Sequence, residues 1–340
     1  MKAIIWGYRY TDMQVSWRQQ MCWLVKAFQN NNVDVCVHRN VKCVGLENIP
    51  IWNPNADHVD ICIYNHADIS HLTGDILQVE HNWFFKPTIP DEYHTTIDEL
   101  GFGPYSTITF KKPDYESVPE DLVTDFFNTK VANWVSHRKT KWGKYFKSTE
   151  EVIPYRDYYL LLGQCNGDEV VTRHDFGSYV TKLEQVIKEL VRVDEVRDVV
   201  VKLHPYMDGE FAKDTVFSDS IKATLSKISP RVHVYTGKSN VHEFIKHCRC
   251  VILGNSGAGF EALMHHKPII SWGMPEYHWV TYDLRLLATL LQAIKLDWFD
   301  MKKQDRYLYW YLERYTYYNQ ETANNRVREM LVNNKLIKGY

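Results

Sequence analysis

The sequence predicts an α/β protein in which two Rossmann-like, doubly wound domains face a cleft and a helical tail ends the chain. At 340 residues the chain is too long for one ordinary core and suits two domains of roughly 150 residues each. Apolar strand-like runs alternate with amphipathic helical stretches, as they do in parallel sheets with crossover helices. The alternation starts again after about residue 150, which indicates two such domains rather than one.

The first half begins with the strand-like run KAIIWGY and continues with SWRQQMCWLVKAFQ, whose apolar residues recur at helical spacing. Three further strands are predicted at VDVCVHR, VDICIYN and DILQVEHNW. The stretch 84–119 is rich in Pro, Gly and Tyr and predicts long loops over the sheet, where function often lies. Residues 120–148 are predicted to be helical and to lead to the domain boundary.

The second half repeats the pattern with strands at YYLLLGQ, DVVVKLHP, VHVYTG and VILGN. Helices are predicted between them, at SYVTKLEQVIKELVR, SDSIKATLSKI and NVHEFIKHC. The end of the chain reads as helical and aromatic. We therefore expect one domain at 1–152, a second at 153–285, and a helical tail at 286–340 that packs back on the first domain.

Composition restricts the class of function. A formal net charge of −2 gives no electrostatic footprint for binding nucleic acid. The seven cysteines are scattered and odd in number, with no zinc-ligand pairing, which suits a reducing compartment. The N-terminus runs straight into a strand, and no apolar run reaches the roughly 18 residues of a membrane span. We expect a cytoplasmic protein without a transmembrane segment, and peripheral membrane contact stays open.

Polar residues collect where three strands of the second half should end. Because parallel strands present their carboxyl ends at one edge of a sheet, these residues should share a crevice. Together they offer an acid, cationic or imidazole donors and a helix start, which suit a phosphorylated leaving group. Singly, each also has an ordinary explanation as a cap, a turn residue or a surface charge. The set comprises Gln164, Asp168, Lys202, His204, Asn255, Ser256, Gly257 and Gly259.

The turn NSGAGFEA excludes two familiar phosphate sites. A P-loop needs a Lys-Ser/Thr pair after its glycines, and a dinucleotide fingerprint needs a third glycine near an early strand. What remains is a diphosphate held by Ser256 and by main-chain N–H groups at the helix start. Glu261, one turn farther on, could accept hydrogen bonds from ribose hydroxyls. It could equally be a solvated carboxylate near the positive end of the helix.

With these residues assembled, the chain resembles the capsular-polysaccharide-biosynthesis glycosyltransferases, a group that includes β-Kdo transferases and has the GT-B fold. The resemblance covers roughly residues 75–280 and rests on four segments in order. The chain is also similar to nucleotide-sugar glycosyltransferases at Glu261, which lies seven residues before Pro268. The four segments are LGFGPYSTITF (Leu100–Phe110), LLLGQCNGDEVV (Leu160–Val171), KLHP (Lys202–Pro205) and NSGAGFEALMHHKPIISWG (Asn255–Gly273).

The resemblance implies roles for individual residues. Lys202 and His204 would contact the donor phosphates, and Ser256 would cradle them together with Gly257. Gln164 belongs to the segment that looks like the Gln-x3-Asp element of the family, in which Asp168 matches a proposed covalent nucleophile. The turn departs from the hydroxyl-rich Ser-Ser/Thr pair of the family, so fewer hydroxyls face the phosphates. A UDP-sugar donor is favoured, with CMP- and GDP-sugars as alternatives.

A transfer reaction needs one more carboxylate, as a base or as an acid/base. The first half offers Glu80 at a strand end and Asp98 in the loop-rich segment, and retention versus inversion stays open. We expect a metal-independent glycosyltransferase that moves a sugar from a nucleotide donor, bound by 153–285, to a glycan acceptor, bound by 1–152. Competing hypotheses are a nucleotide-sugar 2-epimerase, a polyol-phosphate transferase of the teichoic-acid type, and a non-catalytic carbohydrate-binding protein.

Overall fold

The computed structural model describes most of the chain as two units, Met1–Lys111 with Trp310–Tyr340, and Lys112–Tyr309. Within the described part, no helix has the length and apolarity to cross a bilayer. The described residues are 1–8, 15–38, 48–53, 58–65, 77–85, 94–101, 103–140, 153–165, 171, 179–204, 215–237, 239–285 and 289–336.

The first unit is built on a five-stranded sheet in the order β2-β1-β3-β4-β5. Its pairs are parallel, except that β5 runs antiparallel to β4. The four strands predicted in the first half are present. The strands are β1 (Lys2–Tyr8), β2 (Asp34–Val37), β3 (Ile61–Asn65), β4 (Leu77–Phe85) and β5 (His94–Asp98).

Strand β5 is a correction to the sequence analysis, which placed this stretch in long loops. Its sequence HTTID has one apolar residue, yet all five residues are buried. Two of its polar side chains are hydrogen-bonded in the interior: His94 Nδ1 lies 2.8 Å from Thr316 Oγ1, and the Asp98 carboxylate accepts from the Thr107 N–H at 2.9 Å. A strand of this kind lacks the apolar alternation by which strands are recognised in a sequence.

Two long helices cover the sheet of the first unit, α1 (Val15–Asn30) and the last helix of the chain, α11 (Gln320–Asn333). Each contributes a buried apolar stripe, for example Met21 and Phe28 from α1, and Val327 and Met330 from α11. Burying one such side chain stabilises the fold by roughly 1.5–3 kcal/mol, so this packing accounts for the helicity predicted for both segments. The predicted helical end of the chain is confirmed.

The second unit contains a six-stranded sheet in the order β11-β10-β9-β6-β7-β8, and all its pairs are parallel. The central strands are continuous apolar runs because both faces of the sheet are covered by helices. From β6 the chain proceeds to β7 and β8 on one side, then returns to place β9 on the other side. The strands are β6 (Tyr158–Leu162), β7 (Val199–Lys202), β8 (Val232–Tyr235), β9 (Cys248–Leu253), β10 (Ile269–Ser271) and β11 (Tyr282–Asp283).

This reversal makes the gap between β6 and β9 the topological switch point of the sheet, the place where open α/β sheets bind ligands. The helices between the strands lie where the apolar periodicity predicted them. They are α5 (Tyr179–Val193), α6 (Thr215–Ser226), α7 (Val241–Ile245) and α8 (Gly259–Met264).

The remaining helices are short or continue into irregular turns. Two of them continue into single π-helical turns, at Phe127–Val131 and Tyr311–Tyr315. The remaining α-helices are α2 (Thr107–Phe110), α3 (Glu120–Phe126), α4 (Ala132–Ser136), α9 (Leu290–Ala293) and α10 (Met301–Trp310).

Candidate functional site

The carboxyl ends of β9, β6 and β7 lie level with one another in the second unit. Leu162, the last residue of β6, is in register with Lys202 of β7 and with Leu253 of β9. The residues that follow these three strands therefore emerge side by side, at the switch point. Of the polar set predicted from the sequence, the structure brings together at this edge Gln164, Lys202, His204, Asn255, Ser256, Gly257 and Gly259.

Gln164 and Asn255 shape the turn after β9. Gln164 Oε1 accepts a hydrogen bond from the Asn255 main-chain N–H at 2.7 Å, and Asn255 Oδ1 accepts one from the Met274 N–H at 2.6 Å. Both side chains are buried. A Cβ at Gly273 would lie 2.3 Å from Asn255 Oδ1, so only glycine fits there without a shift. These two amides fix the start of the turn from both sides.

The peptide between Ser256 and Gly257 is oriented by its carbonyl group. Ser256 C=O accepts from the Gly259 N–H at 3.1 Å and from the Tyr277 hydroxyl. Because the C=O and N–H of one trans peptide point in opposite directions, the Gly257 N–H points away from Tyr277. Gly257 is exposed, and a Cβ built on it would meet nothing within 4 Å.

Two main-chain donors of this turn are available to a ligand. Among the described residues, no hydrogen-bond acceptor is paired with the main-chain N–H of Ser256 or of Gly257. The Ser256 hydroxyl accepts from the Ala258 N–H at 3.3 Å, which leaves its own proton to donate. Three donors within two residues form a small cradle suited to an anion.

Glu261 lies in the first turn of α8, just beyond this cradle. Its side chain is buried and accepts a hydrogen bond from Thr140 Oγ1 at 2.7 Å, which excludes the alternative of a solvated carboxylate. Gly259, two residues earlier, packs against Tyr277, and a Cβ there would lie 2.1 Å from the ring. Thr140 and Tyr277 were missed by the sequence analysis, because nothing local in the sequence connects either of them to the turn.

Lys202 is the last residue of β7, and His204 follows two residues later. The Lys202 ammonium is buried and donates to the carbonyl oxygens of Leu203, at 2.9 Å, and of Gly237, at 2.7 Å. It thereby ties the end of β7 to the loop after β8. His204 is half-buried, and its Nδ1 lies 3.4 Å from Cys165 Sγ, at the end of β6. The roles predicted for both residues on donor phosphates stay predictions.

The family model of capsule polysaccharide biosynthesis proteins matches residues 108–305, more than half of the chain. The chain belongs to this family. The resemblance stated from the sequence is thereby confirmed, and the matched range contains the whole edge described above. A search of curated proteins finds no match for this capsule biosynthesis protein.

Solved structures show the same fold. The Thermosulfurimonas dismutans KpsC β-Kdo 2,4 transferase is 16% identical over 86% of this chain and 88% of that chain, with a TM-score of 0.53. The KpsC β-Kdo 2,7 transferase of the same organism is 13% identical over 97% and 98% of the two chains, with a TM-score of 0.52. At these identities the likeness concerns the fold alone, and it confirms the predicted α/β fold class of GT-B type.

The structure describes the three carboxylates predicted for catalysis to different extents. Asp168 lies outside the described residues. The backbone of Glu80, in β4, pairs with that of Asp98, in β5. The Asp98 carboxylate is only 1% exposed and accepts from Thr107 N–H at 2.9 Å and from the Tyr315 hydroxyl at 2.7 Å.

Asp98 also accepts from the N–H groups of Leu100 and Gly101, at 2.8 and 3.2 Å, and from the Thr107 hydroxyl at 3.0 Å. A carboxylate with five donors holds the chain after β5 in place, as a buried structural acid does. Its contacts favour this structural role, and its catalytic role stays a prediction.

A pair of histidines, His242 buried and His265 half-buried, joins α7 to the end of α8, and the sequence analysis did not single it out. His242 Nε2 lies 2.7 Å from the Lys139 carbonyl, which can only accept, so Nε2 carries the proton. Neutral His242 therefore accepts at Nδ1 from His265 Nε2, 2.8 Å away. Burial lowers the pKa of His242 to about 4, and burial followed by the charge of His242 lowers that of His265 to about 3. Both rings are neutral at physiological pH.

Metal ligands are not clustered in the described part of the chain, where no group of three His, Cys, Asp or Glu side chains has a suitable arrangement. The main-chain N–H groups of the turn and the Lys202 ammonium give this edge positive potential. Six cysteines are described, and all are free thiols.

Proposed function

We propose that this capsule-family protein is a glycosyltransferase that transfers a sugar from a nucleotide-sugar donor to a glycan acceptor. The observation that carries the proposal is the pair of available N–H donors, at Ser256 and Gly257, on the switch-point edge of the second unit. This edge lies within the family-matched residues, beside a buried acceptor, Glu261. UDP-sugars are the favoured donors, and CMP- and GDP-sugars are the alternatives.

The proposed chemistry depends on the negative charge that develops on the leaving phosphate during sugar transfer. When the bond between the sugar and the phosphate breaks, negative charge grows on the departing phosphate oxygens. Preorganised donors stabilise that charge, and here they would be the two N–H groups, the Ser256 hydroxyl and the His204 imidazole. In this proposal the set supplies the electrostatic role without a metal ion. Lys202 acts in this scheme by holding the strand ends together, and by its long-range positive potential.

In this proposal the first domain, 1–152, binds the acceptor and the second, 153–285, binds the donor. Residues 286–340 form the tail. Asp168 is the proposed nucleophile of a retaining reaction. Glu80 and Asp98 are the proposed carboxylates of the first domain, and Glu80 is the better base because Asp98 is occupied by structural hydrogen bonds. The free cysteines agree with the proposed cytoplasmic location.

Isothermal titration calorimetry with UDP, GDP and CMP in EDTA tests the donor site. Wild type should bind one of them, and Gly257→Val should weaken that binding by about tenfold or more, because its methyl groups cover the Gly257 N–H. The substitution should leave folding intact, since a Cβ at this position meets nothing within 4 Å. Equal affinity in both proteins, or no nucleotide binding by wild type, would remove the proposal.

The class of reaction is tested by supplying the donor sugar of whichever nucleotide binds. A glycosyltransferase releases the nucleotide faster when a glycan acceptor is added. Interconversion of the donor sugar at C2 without acceptor would show a 2-epimerase instead. Binding with no turnover on any acceptor would favour a carbohydrate-binding protein.

A further inference from the structure

A cysteine and a histidine contact each other beyond the carboxyl ends of β6 and β7. Cys165 Sγ lies 3.4 Å from His204 Nδ1, and both residues are half-buried, so solvent and small reagents reach them. An imidazole at this distance can accept the thiol proton, and the imidazolium that results stabilises the thiolate, which is the nucleophilic form of cysteine. The proposed transfer reaction does not use this sulfur.

Most of the other described thiols lie in a different environment. Four are buried in strands of the two sheets, at Cys36, Cys62, Cys248 and Cys250. Burial raises the pKa of Cys62 and of Cys248 to about 12, so these two thiols stay protonated at physiological pH and react slowly. Cys165 differs from the four buried thiols because it combines exposure to solvent with a proton acceptor, the His204 imidazole.

The place of this pair in the sheet connects it to the candidate anion cradle. Strand β6 lies between β9 and β7, and its last residue is in register with the last residues of both. Gln164, directly before Cys165, accepts from the Asn255 N–H at 2.7 Å in the turn after β9. The thiol therefore lies between that turn and His204. A group added to the sulfur would lie beside the cradle.

We propose that Cys165 is a modification site, a thiol that His204 activates and hydrogen peroxide oxidises, and that its oxidation lowers nucleotide affinity at the neighbouring cradle. The thiolate sulfur attacks one peroxide oxygen, so that an S–O bond forms and the O–O bond breaks. The sulfur is oxidised by two electrons to a sulfenic acid, and the departing hydroxide takes the proton held by His204 and leaves as water. Two molecules of a small thiol restore the cysteine through a mixed disulfide, with loss of water.

The oxidised sulfur weakens nucleotide binding for an electrostatic reason. The oxygen of a sulfenic acid carries lone pairs and accepts hydrogen bonds, as a phosphate oxygen does. Beside the cradle it competes with the donor phosphate for the same hydrogen-bond donors, among them the His204 imidazole. This part of the proposal rests on the proposed function, whereas the reactivity of the thiol does not.

Alkylation by iodoacetamide, followed at each cysteine by peptide mass spectrometry, tests the reactivity without any nucleotide. A free thiol ionises with a pKa of about 8.5, and the chain denatured in urea supplies this reference for Cys165. In the folded chain, alkylation of Cys165 should reach half its maximal rate at a pH about one unit lower or more, because the thiolate is stabilised. His204→Gln, which removes the proton acceptor, should return this midpoint to the denatured value. Equal midpoints in the folded and denatured wild type would overturn the reactive thiol.

Calorimetry before and after one equivalent of hydrogen peroxide tests the effect on binding. The affinity of wild type for whichever of UDP, GDP and CMP binds should fall about tenfold, as for the loss of a hydrogen bond to a charged group, and dithiothreitol should restore it. The affinity of Cys165→Ser, whatever its starting value, should not change on the same treatment. Cys22→Ser is the matched control, since it removes a half-buried thiol of the first unit and should lose affinity as wild type does.

The outcomes separate this inference from the proposed function. Unchanged affinity in wild type whose Cys165 carries a sulfenic acid, detected as its dimedone adduct, would overturn the effect on binding. An equal loss of affinity in Cys165→Ser would assign that loss to another residue and overturn it as well. Failure of untreated wild type to bind any nucleotide would instead overturn the proposed function, and the alkylation profile would still decide the reactivity of Cys165.

Discussion

Gly259→Ala tests how tightly the turn after β9 is packed. The added Cβ would lie 2.1 Å from Tyr277 Cζ and from its hydroxyl oxygen, and 2.6 Å from Cε2. Tyr277 cannot easily yield, since it is 1% exposed, its hydroxyl bonds to the Ser256 carbonyl, and its ring packs edge-to-face on Phe260 at 4.8 Å. Ordinary carbon contacts need about 3.5–4.0 Å, so the ring or the start of α8 must move by more than 1 Å.

The expected loss of stability is the sum of three effects. Overpacking of a buried site costs about 1–3 kcal/mol. Loss of the hydrogen bond from Tyr277 to Ser256 adds about 0.5–1.5 kcal/mol if the ring is displaced. The higher helix propensity of alanine offsets up to about 1 kcal/mol. Gly259→Ala should therefore lower the free energy of unfolding by about 0.5–3.5 kcal/mol, with about 2 kcal/mol as the central value.

Urea denaturation followed by tryptophan fluorescence measures this change, and Gly257→Ala is its matched control. A Cβ on Gly257 meets nothing within 4 Å, so this variant should stay within about 0.5 kcal/mol of wild type. The two substitutions are chemically identical and two residues apart. Equal stability of the two variants would refute the packing of Tyr277 against Gly259, and with it the orientation assigned to the Gly257 N–H.

Three further predictions concern the same unit. Tyr277→Phe removes the hydrogen bond to the Ser256 carbonyl and should make the phosphate cradle less rigid. It should therefore weaken UDP binding several-fold and leave uridine binding unchanged. Equal loss of affinity for both ligands would contradict this. Lys202→Met should lower the free energy of unfolding, measured by urea denaturation, by about 1–3 kcal/mol, since two carbonyls lose a charged donor. Unchanged stability with a loss of UDP affinity would instead indicate that the ammonium contacts the ligand. The folded-state pKa values of His242 and His265, about 4 and about 3, lie below the value of about 6.5 in the unfolded chain. The free energy of unfolding should therefore fall as the pH drops from about 6.5 towards 4. The slope should be up to about 1.4 kcal/mol per pH unit for each histidine. Urea midpoints at pH 7, 6 and 5 should fall less steeply in a variant with both histidines changed to glutamine, and an identical slope would contradict the buried neutral pair.

The framework of the second unit was predictable because its signals are local. Runs such as YYLLL and VVVK are buried on both faces of a parallel sheet, and a sheet of parallel strands gathers its strand ends at one edge. The collection of Gln164, His204 and Asn255 at that edge follows from strand order alone.

The contacts that give the site its shape were not predictable, because they join distant parts of the chain. Thr140 and Glu261 are 121 residues apart, and Tyr277 reaches back 21 residues to Ser256. A phosphate contact was predicted for Lys202 from its place at the end of strand β7 and from the family resemblance, and that place also lies beside the Gly237 carbonyl, which its ammonium contacts. Residue type and strand position alone do not distinguish a ligand contact from a structural one.

Hydrogen exchange with and without bound nucleotide tests the central claim most directly, that the turn after β9 holds the donor phosphates. The measurement uses the wild-type chain, saturated with whichever of UDP, GDP and CMP binds, and follows the amides of residues 254–262 by mass spectrometry. The account predicts that the amides of Ser256 and Gly257, which have no described acceptor in the free protein, become more protected when nucleotide is bound. Saturating nucleotide that protects only other parts of the chain, and leaves these two amides unchanged, would contradict it.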